Sequence, residues 1–123
     1  MGKVIISLSD FVLREGTLRH LSLLDRDNAF EFQDGTELDA PSLEETLENY
    51  RGADAVVYQV IPVPSWPRER QSFGHNLRRS GFEGKIIAYG HTRDVVGNPR
   101  DVDHIVTFSG GDIVPQIYEL LQQ

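Results

Sequence analysis

A chain of 123 residues has room for one domain around one core. It contains no cysteine, which excludes disulfides, thiolate metal sites, iron–sulfur ligation and a cysteine nucleophile. Its formal net charge of −7 opposes phosphate backbones, so no nucleic-acid partner is expected.

No apolar run approaches the roughly 20 residues that cross a bilayer. The start, Met1-Gly2-Lys3-Val4-Ile5-Ile6, passes directly into a strand-like run, too soon for a signal peptide. The expectation is a single cytoplasmic domain over 1–123, with no membrane partner. The first strand spans Lys3–Leu8, a continuous apolar run of the kind buried on both faces of a parallel sheet. A polar loop over Ser9–Glu15 follows, and Gly16 opens a helix carrying Leu18, Leu21 and Leu24, joined by Leu23. Asp25-Arg26-Asp27-Asn28 breaks that helix. Ala29–Gln33 alternates apolar Phe30 and Phe32 with Glu31 and Gln33, as a strand nearer a sheet edge does. Asp34-Gly35 is a turn signal.

Pro41-Ser42-Leu43-Glu44-Glu45 makes Ser42 an N-cap with Glu45 three residues on, a capping box. Leu43, Leu47 and Tyr50 form the buried stripe, and Gly52 suits a left-handed end after Arg51. Ala55–Ile61 is the most apolar segment and is expected at the sheet centre. Pro62, Pro64 and Pro67 force an extended loop, and Pro67 suits the first turn of a third helix that stops at Gly81. That helix has a thin apolar face of Trp66, Phe73 and Leu77, with Trp66 read as sealing the core and, as the alternative, as an exposed anchor for a ligand or partner. Strands four and five are Lys85–Tyr89 and Ile105–Phe108. The segment between them, Gly90–Asp103 with Gly97-Asn98-Pro99, leaves no room for a three-turn helix. A last helix spans Asp112–Leu121, with Ile113, Ile117, Leu120 and Leu121 inward. This order specifies an α/β, flavodoxin-like, doubly wound five-stranded parallel sheet, order 2-1-3-4-5, with the fourth helix short or missing. Ligands of such sheets bind at the carboxyl ends of the strands.

Arg68, Arg70, Arg78, Arg79 and Arg93 gather in the second half while Glu44, Glu45 and Glu48 lie in the first, and solvated helix faces explain both groups. His20 and His75 sit on helices and His104 before a strand, away from His91, with no ligand spacing uniting them, so no metal site is expected. No catalytic residue is marked either. Ser9, Ser65 or Ser109 could each approach His91, but no nucleophile elbow is present. A small hydrolase or transferase using His91 and Asp10 is the weakest of three readings.

Three families share this element order. The chain resembles receiver domains, which need carboxylates after strand one, an Asp ending strand three, a Thr or Ser after strand four and a Lys after strand five. Asp10 and Thr92 match the first and third requirements. Gln59-Val60-Ile61-Pro62 lacks the acceptor carboxylate and Phe108-Ser109-Gly110 lacks the Lys. Only a pseudo-receiver-like signalling or protein-interaction domain remains on that side. Flavodoxins hold FMN phosphate in a glycine- and hydroxyl-rich first loop, which Ser7-Leu8-Ser9-Asp10-Phe11 does not reproduce.

A broader resemblance is to the cobalamin-binding domains of radical-SAM enzymes. It runs through Gly16-Thr17-Leu18-Arg19-His20-Leu21, Ser42-Leu43-Glu44-Glu45, the loop Val60-Ile61-Pro62-Val63-Pro64-Ser65-Trp66-Pro67, Tyr89-Gly90-His91-Thr92, and Asp103-His104-Ile105-Val106 leading to Ser109-Gly110-Gly111-Asp112. The Asp-x-His-x-x-Gly motif is absent, as are the radical-SAM barrel and its Cys cluster. The resemblance implies a non-catalytic module working with a partner enzyme, with cobalamin as cofactor. Ser9, Asp10, Pro62, Ser65, Gly90, His91, Thr92, Ser109, Gly110 and Gly111 would line its site. Either reading implies a protein partner or self-association.

Overall fold

Apolar side chains on both faces of a strand demand cover on both sides. The computed structural model shows how this chain supplies it; residues 2–8, 11–38, 40–60, 73–90, 102–107 and 113–123 are described, excepting the side chains of 11–13 and 43. The elements are β1 (Gly2–Ser7), α1 (Phe11–Leu24), β2 (Phe30–Asp34), a 3-10 turn (Gly35–Leu38), α2 (Leu43–Tyr50), β3 (Ala55–Gln59), α3 (Phe73–Arg79), β4 (Lys85–Gly90), β5 (His104–Thr107) and α4 (Ile113–Gln122). All four strand pairings are parallel and the order is β2-β1-β3-β4-β5, the expected flavodoxin-like sheet.

The strands divide their side chains between two cores. Val4, Ile6, Leu8, Ala55, Val57, Ile87, Tyr89 and Val106 meet Leu21 of α1 and Ile113, Val114, Ile117 and Leu121 of α4. On the other face Ile5, Val56, Tyr58, Ile86 and Ala88 meet Leu47 and Tyr50 of α2 and Phe73 and Leu77 of α3. Phe73 is the hinge of that second core, with ring centroids 5.7 Å from Tyr50 and 5.1 Å from Tyr58. Thus the thin apolar face of α3 is compensated by aromatic size rather than by number of residues.

Three local expectations change. Helix α1 starts at Phe11, not at Gly16, so much of the supposed first loop is helical. Glycine lowers helix propensity by about 1 kcal/mol, but thirteen other helical residues and a buried stripe of Arg14, Thr17 and Leu21 outweigh it. Leu23 is 70 % exposed rather than inward. It stands two residues from Leu21, about 200° around the helix, and therefore faces away. Gly52 does not take a left-handed conformation. Helix α2 instead closes through Arg51 N–H to the Glu48 carbonyl and Ala53 N–H to the Tyr50 carbonyl, turns open to any residue. The N-cap is as expected: Ser42 accepts from the Glu45 N–H at 3.2 Å. Gly81, ending α3, does have positive φ, 102°.

Buried polar side chains tie the helices to the sheet. Asp25, only 3 % exposed, accepts hydrogen bonds from the Ala29 N–H (3.0 Å), the Phe30 N–H (2.9 Å) and the Tyr118 hydroxyl (2.8 Å). One carboxylate therefore joins the end of α1, the start of β2 and α4. Burial pushes its pKa up, but those three donors outweigh burial and hold it below the usual value. Beside the starts of β4 and β5 Arg78 donates to the Phe82 and Gly84 carbonyls and to Asp103. Asp103 also accepts the Ile86 N–H at 2.7 Å, so this arginine belongs to a structural clamp rather than to a basic patch. Lys85 Nζ donates to the Leu120 and Gln123 carbonyls, satisfying the last turn of α4 where a cation is favoured.

Candidate functional site

Parallel strands deliver all their carboxyl ends to one rim, and the helices that follow begin there. In this chain the rim is formed by Leu8 after β1, Asp34 ending β2, Gln59 and Val60 at the end of β3, Gly90 ending β4 and Thr107 ending β5. The strand register keeps these ends level: Ser7 lies beside Tyr58, Gln59 beside Tyr89 and Gly90 beside Thr107. Val60 continues the ladder by donating to the Tyr89 carbonyl at 2.7 Å. The Tyr89 side chain is buried next to this rim, and loss of water pushes its phenol up to about 12.

The best-defined charge on the rim is Arg14. Its guanidinium is carried back from α1, donating from Nε to Asp34 Oδ2 at 2.9 Å and from Nη1 to the Leu8 carbonyl at 2.9 Å. The ion pair is largely buried, with side-chain exposures of 10 % and 15 %. Asp34 accepts from the Thr36 N–H (2.9 Å) and hydroxyl (2.8 Å) as well. Partial burial raises the Asp34 pKa, while Thr36 and then Arg14 pull it down further, so the net shift is downward. Among the described rim residues Asp34 is the one carboxylate, and its oxygens are committed to Thr36 and Arg14. Arg14 did not stand out in the sequence and Asp34 did so only as half of a turn signal; twenty residues separate the two, so no spaced motif pairs them.

Of the ten residues expected to line a cofactor site, Gly90 alone lies among the described ones. It is the buried last residue of β4, paired with Thr107 of β5. Ser9, Asp10, Pro62, Ser65, His91, Thr92, Ser109, Gly110 and Gly111 lie outside the described residues, as do Trp66 and the fourth crossover. His20 is on α1, His75 on α3, and His104 begins β5. Among the described residues no group of three or more His, Asp or Glu side chains could hold a metal ion. No helix among them is long and apolar enough to cross a membrane.

No protein-family profile matches the sequence, and no curated protein matches it. Among solved structures, the chain superposes with a TM-score of 0.64 on a protein described as "A novel family of redox sensors in the streptococci evolved from two-component response regulators". The superposition covers 98 % of this chain at 14 % identity, and 50 % of the other, so this chain spans about half the length of that neighbour. Identity that low establishes the fold alone: a five-stranded, parallel, flavodoxin-like sheet.

Proposed function

We propose that this chain is a pseudo-receiver-like regulatory domain, one that works by binding a protein partner and not by accepting a phosphoryl group. The observation that carries the reading is Gln59. It ends β3, where a working receiver places its acceptor Asp. A carboxamide does not form an acyl phosphate. The one carboxylate among the described rim residues, Asp34, is held by Arg14 and Thr36 instead of being open to a divalent cation. The neighbour descended from response regulators supports a receiver-like ancestry over a cobalamin-binding one. Its redox sensing does not transfer through a thiol, because this chain has no cysteine.

The test is incubation of the purified chain with acetyl phosphate and magnesium, read by intact mass. No phosphoryl adduct is expected, and a hydroxylamine-labile adduct on an Asp or Glu would overturn the proposal. A parallel gel-filtration run with hydroxocobalamin should give a colourless protein peak; a red one would return the cobalamin reading to first place.

A further inference from the structure

Strand β2 forms one edge of the sheet, and beyond it among the described residues no further strand follows. Beside that edge runs a groove of about 770 Å³ between α1 and β2. Its apolar part is Leu18 and Phe32, both half-buried, and Gly16 opens it, since a Cβ placed there would meet nothing within 4 Å. Glu15 and Glu37 stand exposed on its walls, and Glu31 is exposed on the strand itself. Arg19 is a cation on the lining, and the charge of Asp34 is already met by Arg14. The edge therefore combines a strand without a neighbour on one side among the described residues, an apolar slot and a surplus of negative charge.

We infer that this edge receives an extended, basic segment of a partner protein, added as a strand beside β2 with an apolar side chain seated over Phe32 and Leu18. Main-chain pairing would supply affinity and the slot would select alternate side chains. The charge decides among occupants. A second copy, paired edge to edge, would bring the carboxylates Glu31 and Glu37 of two chains, each of net charge −7, onto one seam, which is repulsive. Alternating lysines meet the same carboxylates favourably and speed encounter. The inference rests on the protein-binding reading above, deepening it by naming the surface and the partner's chemistry.

The probe is a fluorescein-labelled peptide KVKLKVK, titrated into the full chain by anisotropy and followed by amide chemical-shift mapping. Two further peptides serve as comparisons: acidic EVELEVE, and KKKKVVL, which keeps the charge and loses the alternation. Saturable binding of KVKLKVK is expected, with the largest shifts at 15–19 and 30–37, and with both comparison peptides at least about tenfold weaker. Gly16→Leu, which fills the slot with a better helix former, should weaken binding about tenfold while raising thermal stability. The pair Glu31→Lys with Glu37→Lys should weaken it about tenfold, and the pair Glu44→Lys with Glu48→Lys on α2, equal in charge, should stay within about twofold. Equal loss from both double reversals, equal affinity for KKKKVVL, shifts centred elsewhere, or no binding of KVKLKVK would overturn the inference. None of those outcomes bears on phosphoryl acceptance, so the two proposals fail separately.

Discussion

Removing the Asp25 carboxylate should unlatch one end of the molecule. In Asp25→Ala the Ala29 and Phe30 N–H groups lose their acceptor in a part-buried turn, and Tyr118 loses its hydroxyl contact. Each buried amide left without a partner costs about 1–3 kcal/mol, and water reaching the vacated space recovers part of that. The two amides together give an expected loss of about 3 kcal/mol, a large fraction of the 5–15 kcal/mol that typically separates folded from unfolded domains. Urea unfolding followed by far-UV circular dichroism measures it, as a lower midpoint at unchanged slope. The comparison variant is Tyr118→Phe, which keeps both amides satisfied and the edge-to-face contact with Phe30 (5.9 Å) and should cost clearly less. Acidity gives an independent check. The Asp25 carboxyl is held below its usual range, so its stabilisation is complete above the unfolded value of about 4 and is lost as pH falls through the lower folded value. The gap between wild type and Asp25→Ala should therefore narrow between about pH 5 and pH 2. A loss below about 1 kcal/mol, or a gap that stays constant across that range, would refute the assignment of Asp25 as a charged latch.

Other substitutions probe the sheet and the rim. Gly84→Ala would drive a Cβ into the Asp54 carbonyl and to 2.6 Å from the Phe82 ring; because that carbonyl also accepts the Lys85 N–H, it cannot retreat freely. A loss of about 1–3 kcal/mol in urea unfolding is expected, whereas Gly16→Ala in open space should gain about 0.5–1 kcal/mol. Arg14→Met takes the guanidinium from Asp34 Oδ2 and from the Leu8 carbonyl, leaving Asp34 only its Thr36 donors, and should cost about 3 kcal/mol at neutral pH. Adding Asp34→Asn should recover part of that loss in the same urea assay, and a double variant no more stable than Arg14→Met would show that the pair is not coupled.

Sequence legibility followed the range of the interactions. Strand order was readable because each β-α unit is local and right-handed, and the continuous apolar run Val4-Ile5-Ile6 announces burial on two faces. The Ser42 cap was readable because donor and acceptor stand three residues apart. The start of α1 was not, since Gly16 interrupts the helical pattern and the buried stripe includes a charged Arg14 and a Thr17. The end of α2 was not, since glycine permits a left-handed turn without requiring one. The ion pair at the rim and the latch at the opposite edge span 20 and 93 residues, and no spacing rule reaches across such distances. For the candidate cofactor residues, strand ends could be assigned from periodicity, but what the loops beyond them do depends on contacts that periodicity does not encode.

The pairing of Tyr58 carries a consequence for how this sheet finds its alignment. Since β3 is apolar toward both layers, a slip of one residue would not expose a greasy face to water, and polarity alone cannot reject it. Side-chain volume can. The wide phenol of Tyr58 is flanked by Ser7 on one neighbouring strand and Ala88 on the other, the smallest residues at that level. Shifting the strand would set that ring against bulky neighbours and leave a hollow where it had been, so bulk against slightness is the key that locks the ladder in step.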